Sequence, residues 1–299
     1  MRLSLNTSTI KPQPLLDKIR LAAEAGFEGI ELWITEIYEF IGRGGEVRDV
    51  ENALADCGLA VPCCIALRHW ADFDGREHDL ALDEARRRMD LAARLGAPYI
   101  VATPPLDKPG TDGLAERYRE LLAIGRAAGV KPTFEYISFF ASAYSLPQAW
   151  DIVQAAGDAD ATLILDAFHT WNSGSPQDLI RQIPAGKISH YHIDDAAPGK
   201  PPRTQTDPDR TMPGDGPINL RHEVGLLREI GYQGWVSLEL FNADLWAKDP
   251  REVLKAGIDR LREIVALRSC SLQLRPPSLE KDIFYFSEIS FLHIAVRSL

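Results

Sequence analysis

Four polar residues interrupt apolar, β-branched runs in the second half of the chain: Glu135 in PTFEYI, Asp166 at the end of TLILD, His192 in ISHYHI and Glu239 in VSLEL. Three carboxylates buried together cannot all stay ionised in a low-dielectric site unless a cation sits among them. Three oxygen donors and one imidazole suit one divalent ion, Mn²⁺, Mg²⁺, Co²⁺ or Zn²⁺, with positions left open for a substrate. Each residue also has a bland reading. Either glutamate could pair with a nearby Lys or Arg, Asp166 could cap the helix that opens with AFH, and His192 could be a satisfied core histidine. The joint occurrence at corresponding places on successive apolar runs favours the metal.

Other residues surround this set. His169, three residues after Asp166, should leave the same mouth and serve substrate binding or proton transfer. His190 lies two residues before His192 and so faces the same way, supporting the ligands rather than joining them. Arg210, in DPDRTMPGDG, would grip a substrate hydroxyl, carboxylate or phosphate if its loop overhangs the mouth, and would otherwise be a solvated loop arginine. Glu31, in GIELW, divides between substrate binding and a structural ion pair. The adjacent Cys63 and Cys64 read as packing, since no base is identifiable beside either.

Something must bring these side chains together. Short apolar runs alternate with longer segments of helical period up to about Leu267, the rhythm of βα units around a parallel sheet. The expected strands are Leu3–Thr7, Gly29–Trp33, Val61–Ala66, Pro98–Thr103, Pro132–Ile137, Thr162–Asp166, Lys187–Ile193 and Trp235–Leu240. The helical segments between them, such as LLDKIRLAAEAG, LDEARRRMDLAARLG and LAERYRELLAIGRAAG, each end on a glycine suited to a left-handed C-cap. Eight such units close most naturally into a (β/α)8 TIM barrel, an α/β fold whose active sites lie at the C-terminal ends of the strands. An open doubly wound sheet is the alternative. The Pro-, Gly- and Asp-rich insertion Asp195–Gly216 would then overhang the mouth as a lid.

Size and charge fit one such domain. With 299 residues, 45% of them hydrophobic, the chain can bury a single large core. The formal net charge of -10 would repel a polyphosphate backbone, so nucleic acid is not an expected partner. Four cysteines without CxxC spacing suit a reducing compartment. The opening MRLSLNTSTI does not read as a signal, and no apolar run approaches a membrane span; the expectation is a cytoplasmic protein with no membrane partner. Residues 1–267 are read as the catalytic barrel and 268–299 as a C-terminal extension. That extension has three readings: packing on the barrel, pairing with another subunit in a homo-oligomer, or loose order.

At these residues the sequence resembles the sugar phosphate isomerase/epimerase superfamily, the xylose isomerase-like barrels, over about residues 1–267. GFEGIEL looks like the second strand of that family, and Glu135, Asp166, His192 and Glu239 fall on its four metal-ligand positions. LDAFH matches its D-x-x-H element, and Arg210–Gly216 matches R-x-x-P-G-x-G. In members similar to D-tagatose 3-epimerase the two glutamates also act as acid and base, and the histidine and loop arginine bind substrate oxygens. By position those roles fall to Glu135, Glu239, His169 and Arg210. LILDAFHT and SLELFN also resemble bacterial 3-dehydroshikimate dehydratases, and inosose dehydratases share the barrel. There are departures: the insertion before Arg210 is longer than in compact epimerases, some dehydroshikimate dehydratases carry Gln where this chain has His192, and nothing after Leu267 matches. Endonuclease IV shares the fold but needs further metal-binding histidines and a DNA-binding face.

The resemblance implies a small carbohydrate or cyclic polyol as substrate. A metal that chelates a carbonyl and a neighbouring hydroxyl stabilises an enediolate once the adjacent carbon loses its proton. Returning that proton gives an epimerase or isomerase of a sugar, sugar phosphate or polyol ketone, which is the expected function. Expelling a β-hydroxyl gives a dehydratase (lyase) of an inosose or dehydroshikimate-like ketone. A non-catalytic sugar-binding barrel is the contrasting class.

Overall fold

The computed structural model describes residues 1–266. The extension at 268–299 lies outside them.

Eight parallel strands close into a barrel: β1 (Arg2–Asn6), β2 (Gly29–Trp33), β3 (Cys63–Leu67), β4 (Tyr99–Ala102), β5 (Lys131–Phe134), β6 (Thr162–Asp166), β7 (Ile188–Ile193) and β10 (Trp235–Leu238). Strand β1 closes the ring between β10 and β2. The fold expected from the βα rhythm is present, and the open-sheet alternative is excluded by the β1–β10 pairing.

Several expected strands end elsewhere. Strand β5 stops at Phe134 and β10 at Leu238, so Glu135 and Glu239 each sit one residue beyond the last strand residue rather than within it. Sequence patterning cannot see this boundary, because burial continues past the point where strand pairing stops: Tyr136 and Leu240 are fully buried as well.

The helix–glycine–strand joints form as patterned. Helices Leu15–Ala25 and Leu114–Ala128 end at Gly26 and Gly129, which take the left-handed conformation with φ of 90° and 77°. Most large apolar side chains form one core that includes the packing between helices and barrel. A second small cluster gathers Cys63, Ile65, Ala66, Val101 and Ile164. Cys63 and Cys64 are buried and unpaired, in keeping with a packing role.

The insertion is more ordered than a Pro- and Gly-rich composition suggests. It contains a two-stranded antiparallel ladder, β8 (Asp195–Ala196) with β9 (Arg210–Thr211), and a 3₁₀ turn at Asp207–Asp209 closed by a Thr206/Asp209 capping box. Asp195 organises its end. Its carboxylate accepts the backbone N–H groups of Ala196 (2.9 Å), Gly214 (3.0 Å) and Ile218 (3.0 Å). At Gly216 a Cβ would collide with the Ala196 carbonyl and the Asp195 carboxylate, so only glycine fits that approach. Among the described residues no helix is long and apolar enough to cross a membrane.

Candidate metal centre and active site

Barrel register aligns the first pair of ligands directly. Asp166 at the end of β6 lies opposite His192 on β7. Glu135 and Glu239 follow β5 and β10, the strands flanking this pair in the ring. Ligand atoms of all four residues lie within 4.8 Å of one another, and all four are buried. The imidazole Nδ1 of His192 stands 3.1 Å from Glu239, 3.7 Å from Asp166 and 4.0 Å from Glu135. It has no aligned hydrogen-bond partner there. A buried imidazole nitrogen aimed without a partner at three carboxylates is the donor set a divalent cation fits.

The electrostatics follow from burying these groups together. Burial, reinforced by the Glu239 carboxylate, pushes Glu135 up to about 8. Burial would lower His192, but the Glu239 and Glu31 carboxylates outweigh it and hold the ring well above its ordinary range. Burial would raise Asp166, yet the charges of Arg210, His169 and His192 hold it far below the usual carboxylate range.

Asp166 caps the helix, as one of its two readings has it, and its two oxygens face different partners. Its Oδ1 accepts the His169 backbone N–H at 2.6 Å as a helix N-cap, while Oδ2 faces the ligand cluster and Arg210. The Asp166 carboxylate is thereby locked to the start of the helix Ala167–Ser173.

Arg210 is 1% exposed, so the solvated-loop reading fails. Its Nη1 lies 2.8 Å from Asp166 and 3.4 Å from Glu239 and also bonds Asp194; Nε donates to Asp207 at 3.1 Å. The guanidinium stacks 4.8 Å over the Phe168 ring. Its Nη2 meets His169 Nε2 at 3.0 Å. His169 Nδ1 in turn lies 3.1 Å from the Ser138 hydroxyl. Burial, with Arg210 adding, outweighs the Asp166 charge and pulls His169 down to about 4, so the ring is neutral near pH 7. A neutral imidazole suits hydrogen bonding to an uncharged oxygen.

Glu135, His169, His192, Arg210 and Glu239 line one cavity with Trp33, Ile65, Val101, Phe139 and Phe241. It measures about 70 Å³, small for a ligand pocket, because Arg210 and the aromatic side chains fill it. A larger groove of about 600 Å³ lies alongside and shares Trp33 and Phe241 as walls.

Glu31 is not in that cavity. It is fully buried, and its neighbours are His190, His192 and Asn6. Of the two roles weighed for it, the ion pair is the one its surroundings support. Glu31, His190 and His192 form a second group with ligand-like spacing, but Asn6 already donates to Glu31 at 3.1 Å. Glu135, His192 and Glu239 of the four-residue group line the cavity, whereas of the other group the shared His192 alone does so.

Three residues near the site escaped the sequence reading. Asn6, at the end of β1, donates to Glu239 at 2.7 Å and accepts the indole N–H of Trp33 at 2.9 Å. Asp194 accepts from both Arg210 and the Phe168 backbone N–H. Asp207 carried a usable signal, since it precedes Arg210 by three residues in a turn-forming DPDR. The other two carried none, because an Asn at a strand end and an Asp before a loop are common beside turns.

Known proteins were compared with this geometry. The signature of the family described as xylose isomerase-like TIM barrel matches residues 19–264. A 3-dehydroshikimate dehydratase of Pseudomonas aeruginosa is 30% identical over 285 residues, covering 90% of this chain and 42% of that protein. An inosose isomerase of Bacillus velezensis is 27% identical over 275 residues, covering 89% of this chain and 98% of that one. The chain thus spans under half the length of the dehydratase and nearly all of the isomerase. A crystal structure described as IolI protein with a binding zinc atom superposes with a TM-score of 0.83 at 25% identity, over 89% of this chain and 98% of that one. An L-ribulose 3-epimerase structure, at 18% identity and a TM-score of 0.69, shares the fold.

Proposed function

Since the chain belongs to the xylose isomerase-like TIM barrel family, whose relatives above are enzymes, we propose that it is a divalent-metal-dependent isomerase or epimerase of a small sugar or polyol ketone. One observation carries the reading. Glu135 and Glu239 come from strands β5 and β10, with β6 and β7 between them in the ring, and both reach the same cavity. Two carboxylates entering from separate sides can serve the two proton transfers at a carbon next to a carbonyl.

An ion held by Glu135, Asp166, His192 and Glu239 supplies Lewis-acid stabilisation of the negative charge that develops on the substrate oxygens. One glutamate takes the carbon-bound proton and the other stands ready to return one. Arg210, with its charge held by Asp194 and Asp207, and the neutral His169 bind substrate oxygens and fix their orientation. Trp33, Ile65 and Phe241 keep bulk water from the reacting carbon. Zinc is the metal to try first, because the IolI structure carries it; manganese, magnesium and cobalt suit the same donors. The substrate is a small molecule met in the cytoplasm, not nucleic acid or a membrane surface.

The second reading is a dehydratase of an inosose or 3-dehydroshikimate-like ketone, favoured by 30% identity to the Pseudomonas dehydratase over 90% of this chain. Both reactions begin by removing the same kind of proton. Incubation of the metal-loaded enzyme with ketoses, inososes and 3-dehydroshikimate in D₂O separates them. The proposal expects deuterated product of unchanged composition with a new configuration or carbonyl position. Loss of one water, with new ultraviolet absorbance from a conjugated enone, makes the dehydratase the function instead. Sugar binding without deuterium uptake makes the barrel a non-catalytic module.

A further inference from the structure

We infer that Glu31 is a positioning residue: it fixes the ring of His192 so that Nδ1, and not Nε2, is offered to the metal. The inference rests on the metal site proposed above.

The argument begins at the ring. An imidazole that ligates through one nitrogen must place the other against a partner, and that partner decides which nitrogen carries the proton. His192 Nδ1 faces Glu135, Asp166 and Glu239. Its Nε2 points the other way and meets Glu31 Oε2 at 3.0 Å. With a proton on Nε2 donated to Glu31, the lone pair on Nδ1 is left for the cation. A carboxylate behind the ring also makes that lone pair more basic.

Glu31 is itself held from two sides. Asn6 Nδ2 donates to Oε2 at 3.1 Å and, from the same amide, to Glu239 Oε1 at 2.7 Å. One asparagine therefore ties the residue behind the histidine to another ligand. Asn6 is oriented in turn by the Ser8 backbone N–H and the Trp33 indole N–H, both donating to its Oδ1. On the second side, His190 Nε2 lies 3.0 Å from Glu31 Oε1, though off the line of a well-formed hydrogen bond, since Oε1 has no aligned donor. That same nitrogen stands 3.1 Å from His192 Nε2, so His190 packs the ring from its far edge. The pairing of β1 with β2 sets Glu31 opposite Asn6. All four side chains are fully buried, so water cannot replace any of these contacts.

A negative charge at full burial needs a reason to be there. Space filling could be met by an apolar side chain, and a remote charge effect could be met by a carboxylate at another distance. Positioning needs both charge and reach. Two conservative variants separate these possibilities: Glu31→Gln keeps the shape and removes the charge, while Glu31→Asp keeps the charge and withdraws it by one methylene.

The experiment measures zinc affinity by chelator competition in the full-length protein and the visible absorption spectrum of the cobalt-loaded form. Far-ultraviolet circular dichroism and a cooperative thermal transition establish that each variant is folded. Both variants are expected to bind zinc about 10- to 100-fold more weakly and to show an altered cobalt spectrum, because the shorter carboxylate of Glu31→Asp no longer reaches the ring and the neutral amide of Glu31→Gln is a weaker acceptor for its Nε2 proton. Weakening in Glu31→Asp alone means that Glu31 fills space, and weakening in Glu31→Gln alone means a distant charge effect; either overturns positioning, as does wild-type affinity in both. Failure of the wild-type protein to take up zinc, cobalt or manganese overturns the metal site and this inference with it, which distinguishes the two failures.

Discussion

The strand ends and the loop above them assemble the same site by different means. Asp166 and His192 stand level because β6 and β7 pair in that register, and Glu135 and Glu239 follow strands whose positions the barrel fixes. Arg210 sits on an insertion whose place depends on a short antiparallel ladder, on Asp195, and on side chains it grips itself. The first region gathers buried carboxylates around one imidazole. The second brings a fixed positive charge over it, with Nη1 bonded to Asp166. The strand ends thus define where a metal would go, and the loop defines what is held against it. Mutations in the two regions should therefore separate metal binding from turnover.

The largest effects belong to the strand ends. His192→Ala removes the imidazole donor, and Glu239→Gln removes a charge and a proton acceptor together. Each variant should lose most bound metal by elemental analysis after dialysis, and activity on the substrate identified in D₂O should fall by about 10³-fold or more. Undiminished metal in both would remove the site as drawn.

Arg210→Ala should divide the two regions. The guanidinium is not a ligand, so metal content should stay near wild type. Turnover should fall about 10²- to 10³-fold, the cost of losing a fixed charge that stabilises developing negative charge. Comparable loss of metal would mean that the loop and the strand ends form one unit. Wild-type kinetics would mean that Arg210 only neutralises Asp166, Asp194 and Asp207.

This division also tracks what the sequence makes legible. A buried carboxylate or histidine inside an apolar run stands out, and the period of the strands turns four such interruptions into one face. Position on the strand was less visible, because Glu135 and Glu239 lie just past strand ends whose apolar pattern runs on. The reason for Glu31 was hidden, since a glutamate at a strand end reads alike whether it meets substrate or stands behind a histidine; the contact with His192 spans 161 positions. In the loop, DPDR and PGDG announce turns. Nothing in them states that Arg210 is buried, because that depends on Asp194 and Phe168 arriving from other parts of the chain.

The smallest effect expected is on stability as a function of pH, and it tests the charge imbalance at the strand ends without mutation. In the metal-free protein Glu135 has a pKa raised to about 8 against about 4.3 in an unfolded chain, so the folded state keeps a proton the unfolded state has lost. His192 is raised as well, and burial lifts Glu223, on the helix Leu220–Glu229, to about 7. All three contribute stability that is lost as pH rises through the folded pKa. His169 and His190, each lowered to about 4 by burial, work in the opposite direction, but their contribution is nearly complete about one unit above the ordinary histidine value of about 6.5. From about pH 6.5 to 8 the raised groups, which include the buried Asp194, outweigh it, and the metal-free protein should lose several kcal/mol. Zinc reverses the sign, because ligation requires these groups deprotonated and competes with their protons. Thermal melts with chelator should therefore give a Tm that falls across this window, while the gain in Tm on adding zinc grows with pH. A metal-free Tm that is flat or rising would mean that the strand-end carboxylates are already neutralised by Arg210, erasing the electrostatic difference between the two regions.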